Sequence, residues 1–191
     1  MYAGSGFRMP DDVLAAYLGG LLEAHRDVDE VVVAFQGGEP TLMGLDFFAR
    51  VVELERQLAA PGQRVLNTLQ TNATLLDDDW GEFLAEHGFL VGISIDGPAE
   101  LHDAYRRDKG GKPTFDRVVR GLRAMQRHDV EWNSLPAVNA ANEEHGLEVY
   151  RVLRDELGAR HMQFIPVVER ATPELLPLVE DGWGGRPGRP M

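Results

Sequence analysis

Short β-branched and apolar runs alternate with longer segments of helical period five times along this 191-residue chain, and that order narrows the possible folds more than any other feature. Residues 11–26 place Val13, Leu14, Tyr17, Leu18, Leu21 and Leu22 at helical spacing, with Pro10 and Asp11 as starters. The run VVVAFQ (31–36) stops at Gly37-Gly38, and its lack of alternation predicts a strand buried on both faces. An amphipathic helix follows over 45–60, ended by Pro61-Gly62, and then a second strand over 64–71. A helix around 77–87, with Asp77 as its cap and Gly88 as its stop, leads to a third strand over 89–95. Beyond a polar loop at 103–113, the pattern predicts a helix over 114–128 and a fourth strand over 131–138, which Pro136 weakens. A helix over 142–157, a fifth strand over 161–166 and an irregular tail complete the reading. Repeated helix–strand alternation implies right-handed crossovers and an α/β fold with a parallel sheet, either an open doubly wound sheet or part of a (β/α) barrel.

In both architectures ligands sit at the carboxyl ends of the strands. Polar and glycine motifs fall at those ends: Gln36-Gly37-Gly38-Glu39-Pro40, Gln70-Thr71-Asn72, Ser94-Ile95-Asp96-Gly97 and Gln163. One such strand end is a turn, whereas four in register suggest a site. Two adjacent glycines let a ligand approach the backbone, although Gly37-Gly38 equally reads as a tight strand-to-helix turn. No Gly-Lys-Ser/Thr follows and no GxGxxG is present, which disfavours phosphate cradling. The Ser94 hydroxyl, lying between Ile93 and Ile95, needs a partner, either backbone or ligand. Arg106 and Arg107 sit in a cluster of charges that reads as solvated ion pairs; either guanidinium would also suit forked recognition of a carboxylate, and the local sequence does not choose between them.

Composition removes other classes. The chain has no cysteine, so it supplies no disulfide, thiolate nucleophile or cysteine-ligated iron–sulfur cluster. Its 19 Lys+Arg against 31 Asp+Glu leave a net charge of −12, which argues against nucleic-acid partners. Its His residues form no HxxxH or HxH pair, and no metal ligands are assigned. No GxSxG elbow is present, so serine hydrolase chemistry has no nucleus. No apolar stretch approaches a membrane span and no signal-peptide pattern opens the chain, which gives an expectation of a cytoplasmic protein without membrane association.

The ordered strings FQGGEPTLMGLDFF, NTLQTN-T-LLDDDW, HGFLVGISIDGP, LHDAYRRDKGGKPTFDRV and MQFIPVVER resemble the anaerobic sulfatase-maturating enzymes of the radical S-adenosylmethionine (SAM) superfamily, from about Phe7 to about Trp183. The resemblance implies a partial (β/α) barrel, SAM as cofactor, and oxidation of a Ser or Cys of a sulfatase polypeptide to formylglycine. It also implies an electron donor such as flavodoxin or ferredoxin. Carried over residue by residue, Gly38 lies in the motif that meets the SAM amino group, and Ser94 and Arg106 hold its polar groups. Met162 stands where the family has Leu and would pack on the adenine; Gln36 and Glu39 flank the same site.

The departures from the family are equally specific. The CxxxCxxC motif that ligates the [4Fe–4S] cluster, and the strand carrying it, would precede Met1. The C-terminal SPASM domain with the catalytic region would follow Trp183, so no catalytic residue is assigned here. Ala73 replaces the Gly of QTNGT, and Leu135-Pro136-Ala137 interrupts a strand that the family keeps apolar. The expectation is a barrel core over 1–170 with an irregular tail over 171–191, inactive alone for want of cluster ligands, with an unpaired sheet edge. The alternatives are a non-catalytic remnant that binds SAM or peptide, and a pseudogene product.

Overall fold

The computed structural model of this chain describes residues 8–168. Helix α1 (Asp11–Ala24) leads to β1 (Glu30–Phe35), α2 (Leu45–Leu58) to β2 (Arg64–Thr71), and α3 (Asp78–Glu86) to β3 (Leu90–Ile93). Two helices, α4 (Ala99–Tyr105) and α5 (Phe115–Arg127), precede β4 (Trp132–Ser134). Strand β5 (Ala137–Val138), α6 (Gly146–Arg151) with its π turn (Val152–Glu156), and β6 (Ile165–Pro166) end the described chain. The expected tail over 171–191 lies outside the described residues.

Strands β1 to β4 pair in parallel and in sequence order, in register from Val32 opposite Leu66 to Gly92 opposite Asn133. A sheet that adds each new strand on the same side, with a helical crossover between neighbours, winds in one direction only. This is an arc of a (β/α) barrel rather than a doubly wound sheet. The burial pattern agrees. On β1, Val31 and Val33 are buried while Val32 is 55% exposed; on β2, Asn67, Leu69 and Thr71 are buried while Leu66 and Gln70 are exposed.

The prediction that β1 is buried on both faces is therefore corrected. Its outer face lies under the helices, whereas its concave face has no described element across it. β-Branched residues serve both faces of a barrel strand, so composition alone looks the same in either case. The strand also pairs only with β2 among the described residues, which leaves the expected open edge.

The core fills the space between sheet and helices. Phe48 of α2 is fully buried and makes edge-on contacts with Phe35, Trp80 and Phe89. Gly121 of α5 sits where a Cβ would overlap the Ala73 carbonyl and approach Leu76 Cβ at 3.1 Å, so this glycine sets how closely α5 lies on the loop after β2. At the far side, Pro136 divides the predicted fourth strand in two, because it has no N–H for a ladder. Leu135 N–H still donates to Ile93 C=O at 2.8 Å, and the chain then realigns so that β5 pairs with β6. The predicted fifth strand is correspondingly short: Met162 bridges Ser134, and only Ile165–Pro166 pair regularly. Helix α4 covers residues left unassigned or read as loop in the sequence; Pro98 opens it and the Arg106 N–H bonds back to His102 C=O at 2.9 Å.

Candidate functional site

Loops at the carboxyl ends of β1, β2 and β3 are joined by a continuous path of hydrogen bonds. Past β1, Gly37 and Gly38 take φ values of +92° and +60°, a region closed to most side chains, and nothing lies within 4 Å of a Cβ built on either. They are glycines for backbone conformation, and both are exposed with open space above them. The two glycines make the strand-to-helix turn, and the space above them is open.

Glu39 follows at once and fixes this turn to its neighbour. Its Oε1 accepts from Thr41 N at 3.1 Å, Thr41 Oγ1 at 2.6 Å and Thr71 Oγ1 at 2.7 Å, while Oε2 accepts from Asn72 N at 2.8 Å. Both oxygens of Glu39, which the sequence reading places beside the ligand, are engaged by the protein and tie the β1 loop to the end of β2. Thr71 passes the connection on, since its hydroxyl accepts from Ala73 N at 3.0 Å and its carbonyl from Ser94 N at 2.9 Å. Ala73 holds φ +57° where the resembling family has glycine.

Ser94 is half-buried, between the fully buried Ile93 and Ile95. Its hydroxyl makes no hydrogen bond among the described residues, so the backbone partner that the sequence offered as one alternative is not taken. Two residues on, Asp96 is almost wholly buried. Its Oδ1 accepts from Ala137 N at 2.8 Å and its Oδ2 from Arg106 Nε at 2.6 Å. Arg106 reaches this carboxylate because α4 ends at Tyr105, which puts the arginine at the helix C-cap facing the strand end. Its side chain remains 28% exposed, and no bond to its Nη atoms is formed among the described residues. Arg107 instead donates to Gly111 C=O at 3.1 Å in its own loop, so the structure separates the two arginines that the sequence left equivalent.

The network behind Arg106 was not legible in the sequence. His102, read there as scattered, is fully buried on α4 and lies against Phe115. Its Nδ1 accepts from Asp96 N at 3.3 Å, and its Nε2 lies 3.1 Å from Thr114 Oγ1. The Thr114 hydroxyl donates to Arg106 C=O at 2.7 Å, which commits its one proton and makes His102 Nε2 the donor to it. Burial then lowers the His102 pKa to about 4, so the ring is neutral at pH 7; the adjacent Asp96 carboxylate opposes that shift and Arg106 adds to it. Asn142 supports the same turn by donating to Asp96 C=O at 3.2 Å and Ala137 C=O at 2.8 Å. Asp103 caps α5 from outside, accepting from Thr114 N at 2.7 Å and Phe115 N at 3.0 Å.

The other sequence candidates are placed less centrally. Gln36 is exposed just past β1 and makes no side-chain hydrogen bond among the described residues. Met162 is half-buried and packs against the main core, while Gln163 is exposed and ties its N–H to Ser134 C=O at 2.9 Å. No group of three or more His, Cys, Asp and Glu residues positioned for a metal occurs among the described residues. No helix among them is long and apolar enough to cross a membrane.

An arc of parallel barrel strands with this order has a counterpart among known proteins. The radical SAM superfamily model matches residues 5–153. The chain belongs to the radical SAM superfamily. It is 39% identical over 162 residues to the serine-type anaerobic sulfatase-maturating enzyme of Bacteroides thetaiotaomicron, covering 85% of this chain and 38% of that protein. It is 42% identical over 132 residues to the cysteine-type enzyme of Clostridium perfringens, covering 69% of this chain and 35% of that protein. The solved structure of native anSMEcpe with bound AdoMet and Kp18Cys peptide superposes with a TM-score of 0.80 at 38% identity, covering 84% of this chain and 44% of that one. The chain spans less than half the length of each of these relatives.

Two groups are implied by the superfamily. SAM ends in an amino acid bearing an ammonium and a carboxylate, and the residues at these strand ends fit it. The positive-φ turn at Gly37-Gly38 exposes backbone acceptors, Ser94 offers a hydroxyl without a partner among the described residues, and Arg106 offers a guanidinium held at Nε. An iron–sulfur cluster does not fit these residues, because no cysteine is present to ligate it.

Proposed function

We propose that this chain binds SAM at the ends of β1, β2 and β3, as the SAM-binding part of a sulfatase-maturating radical enzyme. The observation that carries the reading is the Arg106 guanidinium, tied at Nε to a buried carboxylate and, like the Ser94 hydroxyl on the same strand end, otherwise without a partner among the described residues. In this arrangement the loop carbonyls at Gly37-Gly38 accept from the ligand ammonium, while Ser94 Oγ and Arg106 Nη donate to its carboxylate. Gln36 and Met162 flank the ends of the outer strands, where the adenosyl portion would extend.

Bound SAM supplies a 5′-deoxyadenosyl group once its sulfonium bond is reductively cleaved. The substrate of the whole enzyme is a sulfatase polypeptide whose Ser or Cys becomes formylglycine, a reading supported by relatives named serine-type and cysteine-type anaerobic sulfatase-maturating enzymes. Its electron donor is a flavodoxin or ferredoxin, and its compartment the cytoplasm. The 191 residues by themselves are inactive, because no thiolate is available to hold a cluster.

Calorimetric titration with SAM tests the reading. Binding that weakens in S94A and R106A supports it, and an absence of heat at millimolar SAM overturns it. The same chain, treated anaerobically with iron, sulfide and dithionite, is expected to release no 5′-deoxyadenosine from SAM; release would overturn the inactivity.

A further inference from the structure

Arg106 is held at two points that are themselves connected. Its side chain donates to the Asp96 carboxylate, and its backbone carbonyl accepts from Thr114. Thr114 accepts from His102 Nε2–H, and His102 Nδ1 accepts from the Asp96 N–H. The four residues thus close a ring, Asp96–His102–Thr114–Arg106–Asp96. Asp96, His102 and Thr114 are all buried. A side chain on a single tether can swing about its χ angles, whereas one whose backbone and headgroup are fixed to the same strand end is confined in position and direction.

Capping does not explain Thr114. Although it occupies the N-cap of α5, its side chain makes no cap bond, and the Thr114 and Phe115 N–H groups donate to Asp103 instead. Its hydroxyl is directed into the ring alone. Because burial keeps His102 neutral, Nδ1 retains the lone pair that the Asp96 N–H requires.

We propose that Thr114 and His102, neither of which touches ligand, are positioning residues that aim the Arg106 guanidinium at the ligand carboxylate by way of Asp96. This rests on the reading of the strand ends as a SAM site, and the experiment separates the two. Dissociation constants are measured for SAM and for decarboxylated SAM, which lacks only the group that Arg106 reads, on the wild-type chain, R106A, T114V and T114S. Loss of a charge-assisted contact weakens binding by about tenfold or more, so R106A and T114V are expected to lose about that factor for SAM. Both should bind decarboxylated SAM like the wild type, T114S should restore SAM affinity, and R106A/T114V should be no worse than R106A.

If the wild type binds no SAM, or R106A binds it unchanged, the SAM-site reading fails and this inference with it. If R106A loses affinity while T114V does not, or T114V weakens both ligands alike, the positioning role fails and the SAM site stands. Should T114V not melt cooperatively, D96N decides. The substituted amide keeps an acceptor for the Ala137 N–H but presents its own N–H to Arg106 Nε, so selective loss of SAM affinity supports the inference and equal loss of both ligands overturns it.

Discussion

Glu39→Gln is a near-isosteric change whose cost follows from four hydrogen bonds. The native carboxylate only accepts, and it does so from two backbone N–H groups and two hydroxyls. A glutamine has one accepting oxygen. If that oxygen replaces Oε1, Thr41 N, Thr41 Oγ1 and Thr71 Oγ1 keep their partner, but the amide nitrogen faces the Asn72 N–H, donor against donor. Reversing the amide satisfies Asn72 and leaves the Thr41 N–H without an acceptor. Hydroxyls can rotate to accept, but a backbone N–H cannot, so either orientation strands one donor in a half-buried site.

A stranded donor costs about 1–3 kcal/mol, and bonds to a charged acceptor are stronger than those to an amide; E39Q is therefore expected to lose about 2 kcal/mol. Urea denaturation monitored by circular dichroism gives the value directly, as a lowered midpoint at unchanged m. Amide exchange should quicken first at Asn72 or Thr41, whichever donor is stranded. A loss below about 0.5 kcal/mol, within the range of an ordinary surface substitution, would refute the assignment of Glu39 as the tie between the ends of β1 and β2.

Gly121→Ala sets two effects against each other. The helix interior gains about 1 kcal/mol from propensity, yet the new methyl meets the Ala73 carbonyl and Leu76 Cβ, and overpacking against backbone costs about 1–3 kcal/mol. Net destabilisation of about 1 kcal/mol by urea melts is expected, and a gain in stability would show that α5 can move off the loop. His102 has its pKa lowered from 6.5 to about 4, so between those values the unfolded chain takes up a proton that the folded chain refuses. Stability from this group is therefore complete above pH 6.5 and falls by about 3 kcal/mol by pH 4. Proton NMR of the His102 ring should give a midpoint near 4 while the fold persists, and titration at 6.5 would contradict the buried neutral imidazole.

The class of fold and the address of the candidate site can be read along the chain. Hydrophobic period is a local property, so the alternation of helix and strand, and the polar residues at Gly37-Gly38, Thr71-Asn72 and Ser94, could be read along the chain. The ordered motifs did the same for the superfamily, and the absence of cysteine settled what these residues cannot ligate. Tertiary structure alone decided which polar groups were spent and which were left free. Glu39 and Ser94 were both candidates, yet the first has both oxygens engaged across two strand ends and the hydroxyl of the second has no partner among the described residues. Arg106 and Arg107 are adjacent, but the end of α4 turns one toward Asp96 and the other back into its loop. His102 gave no signal because its partners, Asp96 and Thr114, lie on other elements. A hydrogen bond joins groups according to where the backbone carries them, and that is fixed by how helices pack on the sheet rather than by spacing along the chain.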